Sequence, residues 1–266
     1  WQETQHAKSY KTLHKTDEAD AIVDAVGAKS MKKSPNCQLC HYTMIQKKAG
    51  AKAKAKAGIS CESCHGPSSE WRHIHNDFGT AKAEDESAEH KASRQQSAKD
   101  AGMIWSFMHY DIASNCNTCH GLAHPDLDSE VLATMLEAGH PVNPDFEFVA
   151  YSQGEVRHRF YPPDITTNAN MSEAELSRFF VVGQAAKLVS ASAAASKSDN
   201  ADYQAAQQTR ISAATKALSA VTSVPEAGAL IADPSEENAR KLVVAIQDKD
   251  LSAEVGPLLP PESSYK

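Results

Sequence analysis

The chain has no run of apolar residues long enough to span a bilayer, so no transmembrane helix is expected. Aromatic residues are scarce, at 6%, and much of the 41% hydrophobic content is alanine. Alanine buries little apolar area, so a core made of it alone is thin and something else must fill the centre. Positive charge is also in short supply: 27 Lys and Arg stand against 34 Asp and Glu, for a formal net charge of −7. That balance argues against nucleic-acid binding, which needs surplus cations against phosphates, and suits protein redox partners with a basic docking face. Nucleophile elbows, phosphate loops and dinucleotide fingerprints are all missing. Cysteine is missing everywhere except in three copies of one motif, and neither cysteine nor histidine occurs after His158.

What is present is Cys-x-x-Cys-His, at Cys37–Cys40–His41, Cys61–Cys64–His65 and Cys116–Cys119–His120, which uses all six cysteines. The pattern is the attachment signature of haem c: two thiols add to vinyl groups and the adjacent histidine ligates the iron. Three copies predict three covalently bound haem c groups, with His41, His65 and His120 as proximal ligands. Tetrahedral zinc is a rival, because Cys-x-x-Cys pairs supply thiolates, and a three-disulfide scaffold is another. Two zinc ribbons would need four pairs, and zinc chemistry places no demand on the residue after the second cysteine. With 12 His in 266 residues, three such placements by chance have odds of about one in ten thousand. Porphyrins would also be the large apolar groups that the composition lacks, so the N-terminal half is not expected to fold without haem.

The patterning predicts a mainly α fold: a haem-organised multihaem cytochrome c with little regular β structure over residues 1–165, then an alanine-rich helical bundle or hairpin over 166–266. Helices are expected over about 172–195, with Ser172 and Glu175 as a capping box, over 200–222, and over 235–248 with Ser235 as cap. That C-terminal part reads as a packing or oligomerisation appendage. Were it instead the interface of a larger respiratory assembly, it would carry an exposed apolar stripe. The Lys- and Ala-rich stretch at 47–58 reads as a solvated loop or short exposed helix, with a docking patch for an acidic partner as the functional alternative. Residues 76–101 read as a partly helical surface excursion. A short helix near Leu132 ends at Gly139 and Pro141, which sets His140 on a defined turn.

After the three proximal histidines, nine remain for at most three distal positions: His6, His14, His73, His75, His90, His109, His124, His140 and His158. A second histidine gives a low-potential carrier, methionine raises the potential, and an open position admits a small molecule. Met31 and Met44 flank the first motif as minor candidates. Arg157 and Arg159, on either side of His158, suit haem propionates through charge-assisted bonds, with the aromatic and proline residues that follow, through Pro163, as a wall for a haem edge.

The segment CESCHGPSSEWRHIH at 61–75 resembles the haem segments of the cytochrome c-554 family of multihaem electron carriers. The resemblance runs over roughly residues 9–150 and leaves out the C-terminal third. It implies His75 as distal ligand to the third-motif haem, ten residues beyond His65. It implies His14, in Tyr10–His14, as cap of the second-motif haem, although the tryptophan and serine usual before that histidine are missing. LEAGHPVNPDFEF at 136–148 implies His140 as cap of the first-motif haem, the position left five-coordinate in the founding member. His73 stands behind His75, and His158 in reserve. The family's additional haem has no counterpart, so this is a three-haem variant.

These readings combine into a periplasmic triheme electron carrier working between protein redox partners, among them a membrane-bound respiratory complex, without nucleic acid. The chain opens at Trp1, consistent with a mature exported protein. The alternatives are an oxidoreductase acting on a nitrogen oxide or sulfur oxyanion at one five-coordinate haem, and a haem subunit of a larger respiratory complex. No residue apart from an open iron looks committed to catalysis.

Overall fold

The structure is a computed structural model that describes residues 1–80, 82–161 and 164–266. Among these, thirteen α-helices and one two-stranded sheet are present, so the fold is mainly α. No described helix is long and apolar enough to cross a membrane.

Helix α1 (Gln5–Thr12) is capped by the Thr4 hydroxyl, which accepts from the Ala7 amide, and α2 (Asp17–Ala25) by Thr16. The acidic residues Asp17, Glu18 and Asp20 fill the first turn of α2, where the helix dipole favours negative charge. Helix α3 (Pro35–His41) starts with proline in its first turn behind the cap Ser34. A hairpin of β1 (Thr43–Ile45) and β2 (Lys54–Ala57) pairs Thr43 with Ala57 and Ile45 with Lys54. The Lys–Ala stretch is therefore partly strand rather than only loop or helix. Its strict alternation has period two, which puts lysines outward and the half-buried alanines inward.

Helix α4 (Cys61–His65) carries a Ser60/Ser63 capping box, α5 (Ala88–Asp100) orders part of the polar excursion, and α6 (His109–His120) carries the third motif. Helix α7 (Ser129–Glu137) ends as expected at Gly139, φ +91°, and α8 (Phe148–Ser152) follows. Helices α9 (Glu173–Ala194), α10 (Ala201–Ser219), α11 (Pro225–Ala232), α12 (Glu236–Ile246) and α13 (Ser252–Val255) complete the chain. The expected capping box at Ser172 and Glu175 and the cap at Ser235 both form.

The largest hydrophobic cluster crosses the 165/166 boundary. Tyr110 and Ala113 of α6 and Phe148 and Val149 of α8 pack with Phe179, Val182, Ala186 and Leu218 of α9 and α10. Helix α9 is buried along most of its length, between α6, α8, α10, α12 and α13. In this way the C-terminal helices form the floor on which the third motif rests. Among the described residues of α9–α13, Val244 is the one large hydrophobic side chain that is exposed, so no apolar stripe is displayed there.

Candidate haem-binding site

Each motif histidine is the last residue of its helix: His41 of α3, His65 of α4 and His120 of α6. One helical turn places the second thiol and the histidine three and four residues after the first thiol, on the same face. All six thiols are free. The motifs converge. Cys40 lies within electrostatic reach of Cys119, and Cys64 of both Cys116 and Cys119. Asn115 ties α6 to α4 by donating to the Ser63 carbonyl at 2.5 Å. A cavity of about 1240 Å³ opens between the motifs, lined by Cys37, Cys40, Cys64, Cys116 and Cys119 together with His6, His41, His120 and His140. It exceeds the roughly 300–1,000 Å³ of an ordinary small-molecule pocket.

Each motif histidine faces a second histidine. His41 and His140 have ring centres 6.1 Å apart, His65 and His158 5.9 Å, and His120 and His6 5.9 Å. Two imidazoles on one metal put their nitrogens about 2 Å from it, with each ring centre about 1 Å further out, so facing rings stand roughly 6 Å apart. The three pairs fit that spacing. In three of the six rings Nδ1 lies against a backbone carbonyl: His65 to Ile104 at 2.7 Å, His140 to Pro141 at 3.0 Å and His158 to Val156 at 2.7 Å. That contact fixes the tautomer and leaves Nε2 as the ligating atom.

Burial favours the uncharged form of four of these rings. His41 is pushed down to about 4 by burial and by His140, and His120 to about 4 by burial, His6 and Arg210. Burial lowers His6 and His140 as well. Neutral imidazole is the ligating form. The Cys64 thiol is pushed up to about 11 by burial, Cys116 is raised by burial, and Cys40 by its neighbour Cys119 and then by burial, while Cys119 is lowered by Cys40. Thiols held protonated are poor nucleophiles and poor thiolate donors, whereas a thioether requires no charge. Among the described residues no group of three or more His, Cys, Asp or Glu could hold a metal ion on side chains alone, so the thiols do not gather into a tetrahedral zinc site.

Residues 1–66 match the family model "Cytochrome c554 and c-prime". A curated relative, cytochrome c-554 of Nitrosomonas europaea, is 27% identical over 126 residues, which covers 45% of this chain and 50% of the relative. The chain thus spans about half the length of that relative. No solved structure gives a significant match. A c-type cytochrome implies covalently bound haem c, and the motif helices, the cavity and the paired imidazoles suit that group.

Two of the distal ligands that the resemblance implied stand elsewhere. His75 is not opposite His120: its ring lies against Trp71 at 5.2 Å, and its carbonyl accepts from Arg94 of α5. His14 lies in the 3₁₀ turn Leu13–Lys15 that follows α1, while the ring paired with His65 is that of His158. Each of these two histidines keeps a buried Nδ1 without a hydrogen-bond partner among the described residues. His6 and His158 occupy the facing positions instead. His6 is set by α1, whose His6 carbonyl accepts from the Ile59 amide just before the second motif. No local spacing in the sequence distinguishes it from the other histidines. His158 lies between the arginines picked out from sequence. Arg157 donates to Asn170 and Arg159 to Glu175 at 2.9 Å, and each keeps a buried Nε without a partner. Pro162 and Pro163, expected to wall a haem edge, lie outside the described residues.

Arg210 escaped sequence reasoning altogether. It is fully buried in α10, and Nη1 donates to Gln207 Oε1 at 2.5 Å and Nη2 to Asn117 Oδ1 at 2.8 Å, inside the third motif. Gly121, the residue after His120, packs on the guanidinium so closely that a Cβ there would collide with it.

Proposed function

We propose that the chain is a periplasmic three-haem c-type cytochrome that carries electrons between protein redox partners. The observation that carries the proposal is the histidine pairing: three motif histidines, three facing histidines, each pair about 6 Å apart. Bound haem supplies one-electron chemistry at its iron. Six histidines would hold the three haems, two to each, which favours electron transfer over substrate binding at an open iron. The electrostatic reach between thiols of different motifs would bring the haems near enough for hopping from one to the next. Cys61 and His158 are exposed, so the second motif is the edge that a partner would reach.

Electron paramagnetic resonance of the oxidised protein, before and after nitrite or nitric oxide, tests this together with the covalent haem count by mass spectrometry. The expected result is three haems per chain, all low-spin and indifferent to the added ligand. A high-spin haem that takes up the ligand would sink the carrier proposal in favour of an open catalytic or sensing site.

A further inference from the structure

We propose that Arg210, contributed by the C-terminal helices, is a fixed positive charge that raises the reduction potential of the haem held by Cys116, Cys119 and His120. That centre becomes the electron sink of the three. The inference rests on the haem assignment above and adds a redox role to helices that otherwise look like a packing appendage.

Arg210 is the largest fully buried side chain in the protein. All of its partners are neutral: Gln207, Asn117 and Ser190. Among the described residues no carboxylate forms an ion pair with it, and its Nε has no partner. Nearby Lys187 is also buried, but Glu147 is close enough to favour its charge, whereas no described carboxylate does so for Arg210. Burying a charge without a countercharge is costly, and a charge taken out of water acts at longer range than one in solvent. The closest negative pole is the C-terminus of α6, a fraction of a charge spread over its last carbonyls. Tyr203 and Gln207 partly satisfy the carbonyls that follow, donating to Leu122 and Gly121 at 3.0 Å. Arg210 therefore sits as a full cation behind the helix end that presents His120.

Reduction adds one electron to the iron centre and makes or breaks no bond. The centre becomes more negative by one unit, and a nearby fixed cation stabilises that state. Burial lowers Arg210 to about 10, so the guanidinium is charged at neutral pH and the effect is constant on the acid side of that value.

The fully haem-loaded protein, its haem count first checked by mass spectrometry, is titrated spectroelectrochemically as wild type, Arg210→Met, Arg210→Lys and Asn117→Asp. His6→Met, at the facing position of the same haem, marks which wave belongs to it. In Arg210→Met that wave moves to lower potential by at least tenfold in the reduced-to-oxidised ratio at fixed potential, about 59 mV for one electron. The other two waves move less. Arg210→Lys keeps the charge and most of the potential. Asn117→Asp keeps the guanidinium but sets a carboxylate against it, and lowers the same wave, so the proposal remains testable if Arg210→Met fails to fold. An unmoved wave in Asn117→Asp, equal movement of all three waves, or Lys moving the wave as far as Met would each overturn the role of Arg210. Fewer than three haems in wild type would overturn the underlying haem assignment instead.

Discussion

His6 and His75 make opposite predictions on replacement by alanine. His6→Ala removes a ring 5.9 Å from His120, so one of three haems is expected to become high-spin. His75→Ala removes a ring packed on Trp71 and leaves the spin state unchanged; a high-spin signal there would restore the assignment implied by family resemblance. His158→Ala is expected to open the second centre in the same way as His6→Ala opens the third. Glycines make a second test. Gly66 ends α4 at φ +85°, and a Cβ there would run into the Gly102 carbonyl. Gly66→Ala is therefore expected to cost more than about 1 kcal/mol, measured as a lowered denaturation midpoint.

The excursion at 76–101 is held by one buried ion pair. Arg94 of α5 grips Glu86 with two bonds, Nε to Oε1 at 2.7 Å and Nη2 to Oε2 at 2.6 Å, and donates to the His75 carbonyl with its third nitrogen. The Arg94 hydrogen bonds hold the Glu86 carboxyl down at about 2. An unfolded glutamate titrates near about 4.3, so between those values the unfolded chain binds more protons. The stabilisation is complete above about pH 4.3 and is lost as pH falls through about 2. Hydrogen exchange along α5 should accelerate across that window in wild type, whereas Glu86→Gln should exchange faster at neutral pH and show no such step. At the other end of the chain, Ser172 caps α9 and accepts from the Glu175 amide at 3.3 Å. Ser172→Ala is expected to cost about 1 kcal/mol, seen as a lower melting temperature with haem spectra unchanged.

For the molecule as a whole, hydrophobic side chains are unevenly shared. The large cluster belongs to α6, α8 and the C-terminal helices, whereas α2, α3 and the hairpin share a small cluster around Val23, Met31 and Tyr42 beside the cavity. Chain produced without haem attachment should therefore keep helical signal from α9–α12 and lose protection in α1–α4. Protection of α1–α4 in haem-free chain, measured by hydrogen exchange, would show that the porphyrins are not their core.

The three attachment motifs, the mainly α fold and the caps of α9 and α12 were legible in the sequence, because each is local. Two thiols and a histidine within one helical turn, or a serine followed by a glutamate, need no distant partner to be recognised. The alternation of Lys and Ala at 51–57 was also on view, but its low complexity concealed a strand. Tertiary structure decided which histidine faces which. Family resemblance had implied 41 with 140, whereas the pairs 6 with 120 and 65 with 158 join residues 114 and 93 positions apart, and no local pattern carries such a distance. It also placed Arg210, an ordinary helix residue in sequence, fully buried behind the third motif among neutral partners.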